Sequence, residues 1–250
     1  MIVLINSSKT MRAVPGSARE QRPALIGRAE RLDRALKGMS AAELKSLMHL
    51  SPKLAESTHA LIDRWTADSA AQTPAIDAFQ GDIFRGLRAS TLSADDREYA
   101  NEVLRILSGL YGILRAFDGI TPYRLELMYP LSADGFRNLY EFWGSAVVET
   151  LPKDGLIVDA ASDEYARLVR PFVDPDRIVE PQFLTQMSAD VEPTFVVVHA
   201  KVARGAYARW LIRSRITDPA RFGEFADLDW VYDPATSTLD KPVYIKRLAS

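Results

Sequence analysis

The spacing of apolar positions divides the chain into short strands and longer helices. Ile2–Ile5 is an unbroken apolar run of the length of a buried strand, so Asn6–Thr10 lies just past its carboxyl end, where open α/β sheets place ligands. Helical spacing follows over Pro23–Leu36 and Ser40–Trp65. Ser40 and Glu43 make a capping-box pattern ahead of Leu44, Leu47 and Met48, and Ser51-Pro52 interrupts the run. Thr66–Thr73 is small and polar and predicts a loop; Pro74–Phe79 and Gly81–Gly86 predict short segments, and Ser93–Ser108 a helix opened by Ser93 and Asp96. Leu139–Leu151 predicts a helix that buries Phe142 and Trp143, and Ser162–Val169 another. Leu156–Ala160 and Phe195–Ala200 are apolar runs bounded by Gly, Asp and Pro, and predict interior strands. Ile178–Phe183 reads as extended, and Trp230–Tyr232 with Pro242–Lys246 flank the turn-rich Asp233–Asp240 as a hairpin. No repeat, low-complexity tract or linker divides the chain, so the pattern predicts one α+β domain over residues 1–250.

Composition narrows the chemistry. A chain of 250 residues that is 47% hydrophobic and 26% charged can bury a substantial core. Its net charge of −2 means that any nucleic-acid binding depends on a local cationic patch. The absence of cysteine excludes disulfides, thiolate metal sites, cysteine nucleophiles and peroxide sensing through a thiol. Four apolar residues after Met1 are too few for a signal segment or a membrane span, which predicts a cytoplasmic protein with no membrane partner. His49, His59 and His199 are scattered and no carboxylates cluster at metal-ligand spacing, so no metal is expected. Gly81–Gly86 and Ser108–Gly112 match neither the P-loop nor the dinucleotide fingerprint; ATP and NAD are not indicated and no cofactor is expected.

Three polar clusters carry the candidate chemistry. Residues 104–128 crowd Gly109, Gly112, Arg115, Asp118, Tyr123, Arg124 and Glu126 together, either as a ligand site or as a folding device in which Arg115 pairs with Asp118 or Glu126. Lys201–Arg215 has five basic and no acidic residues. On a helical wheel Lys201, Arg204 and Arg215 fall opposite Ala203, Tyr207, Trp210 and Leu211, and Gly205 leaves room for a ligand or another backbone. Ser162-Asp163-Glu164-Tyr165 opens a helix after the strand Leu156–Ala160, either as caps or as a polar-ligand junction. The resulting candidates are Glu164, Glu126 and Lys9 for proton chemistry, and Ser108, Tyr111, Arg115, Tyr123, Arg124, Ser162, Tyr165, Lys201, Arg204 and Gly205 for ligand binding. The tyrosines 111, 123 and 165 are candidates to stack on a base or sugar. Neither Ser108 nor Ser162 lies in a Gly-x-Ser-x-Gly elbow, so no serine triad is predicted.

These motifs, in this order, resemble the YaaA family of bacterial peroxide-stress proteins over nearly the whole chain. The family's Ser-Pro-Ala-Lys-Thr is similar to Asn6–Thr10, Gly-Asp-x-x-x-Gly-Leu to Gly81–Leu87, and Leu-Ser-Gly-Leu-Tyr-Gly-x-Leu-Arg-Pro-x-Asp to Leu107–Asp118. Pro-Tyr-Arg-Leu-Glu resembles Pro122–Glu126, Phe-Trp-Gly Phe142–Gly144, Ala-Ser-x-Glu-Tyr Ala161–Tyr165, and Lys-x-Ala-Arg-Gly Lys201–Gly205. The resemblance implies a single α+β fold with a mixed sheet, surrounding helices, a positively charged cleft and a helix-hairpin-helix-like element. It also implies protection from oxidative damage through binding double-stranded DNA. By position the hairpin falls at about residues 40–65, with Lys45 and Lys53 as phosphate contacts. The chain departs from the pattern at Asn6, Ser7 and Ser8, at Ala116 in place of proline, at Leu127 in place of methionine and at Asp159 in place of asparagine. These changes keep the charged residues and alter their neighbours, as in a diverged biosynthetic paralogue. The alternative reading is therefore an enzyme acting on a nucleobase, nucleotide or other anionic small molecule in a polar pocket, with the same polar motifs also open to a purely structural role as paired buried charges. Substrate, reaction, DNA preference and oligomeric state stay open.

Overall fold

The computed structural model of the chain describes residues 1–14, 21–68, 72–133 and 135–248. Its strands are β1 (Ile2–Asn6), β2 (Thr73–Pro74), β3 (Leu104–Ser108), β4 (Gly112–Arg115), β5 (Gly119–Ile120), β6 (Ile157–Asp159), β7 (Ile178–Val179), β8 (Gln182–Gln186), β9 (Trp230–Tyr232) and β10 (Val243–Arg247). The α-helices are α1 (Ile26–Lys37), α2 (Ala41–Met48), α3 (Pro52–Arg64), α4 (Ala75–Ala78), α5 (Asp82–Leu87), α6 (Ala94–Val103), α7 (Leu139–Trp143), α8 (Asp163–Ala166) and α9 (Val197–Ser214). Mixed sheets surrounded by helices make an α+β fold.

The main sheet has the order β4-β3-β1-β6-β7, with β1 parallel to both β3 and β6, β6 parallel to β7, and β4 antiparallel at the edge. All five residues of β1 are buried, as an apolar run in the middle of a sheet covered on both faces must be. The chain leaves β1 for β3 on one side and later returns to β6 on the other. The carboxyl ends of β1 and β6 thus form the crevice at which the strand order reverses, the position where open parallel sheets bind ligands.

Helix α9 is the second organising element. It is buried nearly all round, with Ala200, Ala203, Gly205, Ala206, Tyr207, Ala208, Leu211 and Ile212 enclosed. Small residues let it approach α5 closely: a Cβ on Gly205 would lie 1.8 Å from the Ile83 carbonyl oxygen, and one on Gly86 2.0 Å from that of Val202. Its other side meets the sheet β8-β10-β9 through Tyr207, Phe183, Phe222, Phe225, Trp230 and Tyr244, where the Tyr244 hydroxyl donates to the Phe222 carbonyl at 2.8 Å. Each buried ring contributes on the order of 2–3 kcal/mol.

Several local predictions hold. Ser40 and Glu43 form the capping box, with the Glu43 N–H donating to Ser40 Oγ at 3.3 Å and the Ser40 N–H to Glu43 Oε2 at 2.7 Å. The Ser51-Pro52 interruption separates α2 from α3, which Ser51 caps with Pro52 in its first turn, and β9 pairs antiparallel with β10. Three predictions are corrected. The helix predicted over Leu139–Leu151 ends at Trp143, where Gly144 takes a φ of 48°, and short 3-10 turns follow. Phe195–Ala200 is not an interior strand: α9 begins at Val197, and Phe195, Val197 and Val198 are exposed. The helix predicted over Ser93–Ser108 ends at Val103, because Leu104–Ser108 joins the main sheet beside β1. Residues 40–64 fold as two helices joined through His49, which has a left-handed φ of 52°. Lys45 and Lys53 are exposed on this pair, and with Arg64 they are balanced by Glu43, Glu56 and Asp63.

Candidate functional site

A cavity of about 610 Å³ opens at the β1/β6 crevice. Its floor is Asn6, Ser7, Ser8 and Lys9 after β1 and Ser162–Tyr165 after β6; one wall is Gln80–Phe84 at the start of α5, and the other is Phe195, Val197, Lys201 and Arg204 at the start of α9. The crevice is stitched by Asn6, whose Oδ1 accepts the Ser162 N–H at 3.1 Å. The Ser162 hydroxyl makes no capping bond to its own helix, so it is available to a guest.

The cavity lining carries three cations, Lys9, Lys201 and Arg204, and four carboxylates, Asp82, Glu126, Asp163 and Glu164, of which Asp82 pairs with Arg85 at 3.0 Å and Asp163 with Arg170 at 3.3 Å. Lys9 and Glu126 form an ion pair at 2.6 Å, and the hydrogen bond to Glu126 holds the Lys9 ammonium above its ordinary range while burial opposes it. Beside them, burial pushes the Glu164 carboxyl up, reinforced by the Glu126 charge; the Met128 N–H donating to Glu164 Oε1 at 3.2 Å acts in the opposite direction. Glu164 therefore retains a proton to higher pH than a free carboxyl. Lys201 and Arg204, by contrast, make no ion pair with any carboxylate among the described residues, and burial depresses the Arg204 guanidinium. They share one face of α9 with Val197, at positions i, i+4 and i+7. Arg124 stands behind Lys9 and Glu126, at a small void that also touches Ser7, Ser8 and Tyr165; its Nε is buried without a hydrogen-bond partner.

The fold thus brings Lys9, Glu126, Ser162, Glu164, Tyr165, Lys201 and Arg204 to one cavity, with Arg124 adjoining. The remaining sequence candidates lie elsewhere. Ser108 is enclosed, its Oγ 2.7 Å from the Tyr123 hydroxyl and accepting the Tyr111 N–H at 3.0 Å. Tyr111 is a core residue whose hydroxyl accepts from Trp65 Nε1 at 2.9 Å, and burial pushes the Tyr123 phenol up to about 12. Neither ring presents a face to a ligand, and Tyr165 lines the cavity with little exposure, its hydroxyl facing Ser7. Arg115 pairs with the buried Asp118 at 3.0 Å, the folding alternative offered by the sequence. Gly205 makes room for α5 and not for a ligand, and Gly109 for the Leu125 carbonyl, 2.3 Å from where a Cβ would stand. Arg215 falls beyond the end of α9, where it pairs with Asp96 at 2.9 Å, so it does not share a face with Arg204.

Of the departures from the family pattern, Asn6, Ser7 and Ser8 line the cavity. Asp159 is buried against Arg170, whose Nε donates to Asp159 Oδ2 at 2.7 Å, and Ala116 and Leu127 are core residues. Phe195 and Val197 were not named as site residues by the sequence, and Gly81–Phe84 entered only as part of a family motif and not as a candidate wall. The signal that could have found Val197 is its register on α9 with Lys201 and Arg204. Among the described residues no three metal-ligating side chains converge, and no helix is long and apolar enough to cross a membrane.

The model of the peroxide stress protein YaaA family matches residues 1–236. A UPF0246 protein of Salinispora tropica is 51% identical over 246 residues, covering 98% of this chain and 94% of that protein. A UPF0246 protein of Roseobacter denitrificans is 35% identical over 254 residues, covering 98% of each. With motifs, fold and full-length similarity in agreement, the chain belongs to the YaaA family of peroxide stress proteins.

Proposed function

We propose that the cavity is a receptor for a small anionic molecule of nucleotide size, on which Glu164 and the Lys9–Glu126 pair move protons. The observation that carries this reading is that Lys201 and Arg204 line the cavity with no carboxylate at ion-pair distance among the described residues, Asp159 and Asp163 acting on Arg204 only from farther off, whereas Arg97, Arg115 and Arg170 are each paired. A partly buried cation without a counter-ion costs stability, and a bound anion removes that cost. Arg204 can grip a phosphate or carboxylate through two parallel hydrogen bonds, with Lys201 as a second point charge and the Ser162 hydroxyl as a further donor. A volume of about 610 Å³ suits a ligand of this size. Glu164, whose pKa burial raises, is the group placed to donate a proton, and Glu126, clamped by Lys9, the one placed to accept it.

A second reading, binding of double-stranded DNA through a cationic cleft, is favoured by one observation. A neighbouring cavity of about 400 Å³ shares Gln80, Gly81, Asp82 and Phe84 with the first and is lined by Arg12, Arg85 and Arg88. Of these arginines, Arg85 pairs with Asp82 and Arg88 with Asp227, whereas Lys45 and Lys53 make no ion pair among the described residues but stand on a helical pair of balanced charge.

Isothermal titration with inorganic phosphate and ribose 5-phosphate tests the first reading: binding to the wild type is expected, with a loss of about tenfold or more in Lys201→Ala and Arg204→Ala. Equal binding by all three proteins, or none by the wild type, overturns it. Mobility shift of labelled duplex against salt tests the second. The slope of log affinity against log salt is expected to flatten by about 0.9 for each of Arg12, Arg85 and Arg88 removed.

A further inference from the structure

The cavity that gathers the free cations also exposes apolar surface where a purely polar receptor would have none. Phe195 is 53% exposed and Val197 52% exposed, and both line it; Phe84 contributes a third apolar wall. Large apolar side chains left in water singly are ordinary, but here two stand beside the two unpaired cations of the same site. The Phe195 ring lies 5.8 Å from the Arg204 guanidinium carbon, within the range of a cation–π contact.

The backbone on either side of this ring is held in place. Thr194, immediately before it, exchanges two backbone hydrogen bonds with Thr185 of β8, at 2.8 and 2.9 Å, and α9 begins two residues after it. The Thr185 side chain is in turn tied to His199 Nδ1 at 3.0 Å. An aromatic side chain whose backbone is fixed on both sides loses little freedom when it meets a ligand, so its contact energy goes into binding. The tyrosines that the sequence offers as stacking surfaces are enclosed in the core or nearly so, which leaves Phe195 as the exposed aromatic face of the site.

Resting on the anion-receptor reading, we infer that the ligand joins its anionic group to a planar unsaturated ring, as a nucleoside monophosphate does, with the ring against Phe195 and Val197 and the anion at Arg204 and Lys201. The shared face of α9 sets the two subsites side by side, so one small molecule spans them. Arg204, between ring and anion, contributes to both contacts.

The test is isothermal titration of the full chain with the four ribonucleoside monophosphates and with ribose 5-phosphate, comparing wild type, Phe195→Ala and Phe195→Tyr, each checked for an unchanged melting temperature. At least one nucleotide is expected to bind about tenfold or more tightly than ribose 5-phosphate, the usual scale of one stacked base. Phe195→Ala is expected to erase that advantage, with a smaller loss of ribose 5-phosphate binding through the Arg204 contact, and Phe195→Tyr to restore it. If ribose 5-phosphate binds as tightly as every nucleotide, or if Phe195→Ala changes nothing, the ring subsite is wrong while the anion receptor stands. If neither ribose 5-phosphate nor any nucleotide binds, both are wrong.

Discussion

Glu164 shows how a single side chain ties the site to the stability of the fold. Burial first, and the Glu126 charge second, raise its pKa in the folded protein. Below the ordinary carboxyl range both folded and unfolded chains hold the proton, and the group is neutral in the balance. As pH rises through the window between the unfolded and the raised folded value, the unfolded chain releases its proton more readily, so this group subtracts stability. Glu164→Gln is therefore expected to raise the melting temperature at pH 7.5 and to leave it unchanged near pH 4; scanning calorimetry at both values checks this, and an equal effect at each would contradict it. Arg115 makes the opposite case. It stands in the stretch that the sequence marks as a site, yet its partner is the buried Asp118. Arg115→Ala is expected to cost about 2 kcal/mol in urea unfolding by leaving that carboxylate unpaired, with ligand affinity unchanged. The sequence crowds these residues because β3, β4 and β5 follow one another tightly. Adjacent positions of a strand point to opposite faces, so crowding along the chain does not bring Ser108, Arg115 and Glu126 to one place.

At the scale of elements, α5 and α9 decide whether the cavity exists, because they supply its two facing walls. Their contact requires glycine at 86 and 205, where the backbones meet without room for a Cβ. Gly205→Ala is expected to destabilise the protein by about 3 kcal/mol or more in equilibrium unfolding, and, by pushing α9 off α5, to weaken binding of any anion at Lys201 and Arg204. Full stability in that variant would contradict the packing. Capped helices were legible at Ser40 and Ser93, which precede regular apolar spacing, and Ser51-Pro52, read only as an interruption, proves to cap α3. The start of α9 was not, because Val196, Val197 and Val198 carry strand propensity, and only the long Ala-rich continuation and its close packing on α5 override it. The same misreading hid Phe195, taken for a buried strand residue and found exposed at the cavity.

For the whole molecule, a net charge of −2 is compatible with two cations, Lys201 and Arg204, that make no ion pair among the described residues in a cavity also lined by Asp82, Glu126, Asp163 and Glu164. Lys9, Glu126, Glu164 and Arg204 come from four distant parts of the chain, and only the order β4-β3-β1-β6-β7 draws their elements to one crevice. The sequence located the end of β1 and the start of α8 as ligand positions through the strand-end rule; it had no means of showing that α5 and α9 close over them, since that depends on long-range backbone contact. The most direct test is thermal unfolding of the wild type and of a Lys201→Ala/Arg204→Ala variant against a rising concentration of ribonucleoside monophosphates. A ligand at a hundred times its Kd stabilises by about 2.7 kcal/mol, on the order of 5–10 °C for a chain of this size. A rise of that kind in the wild type and none in the variant is expected; no rise in the wild type, or the same rise in both, would contradict the cavity as an anion receptor.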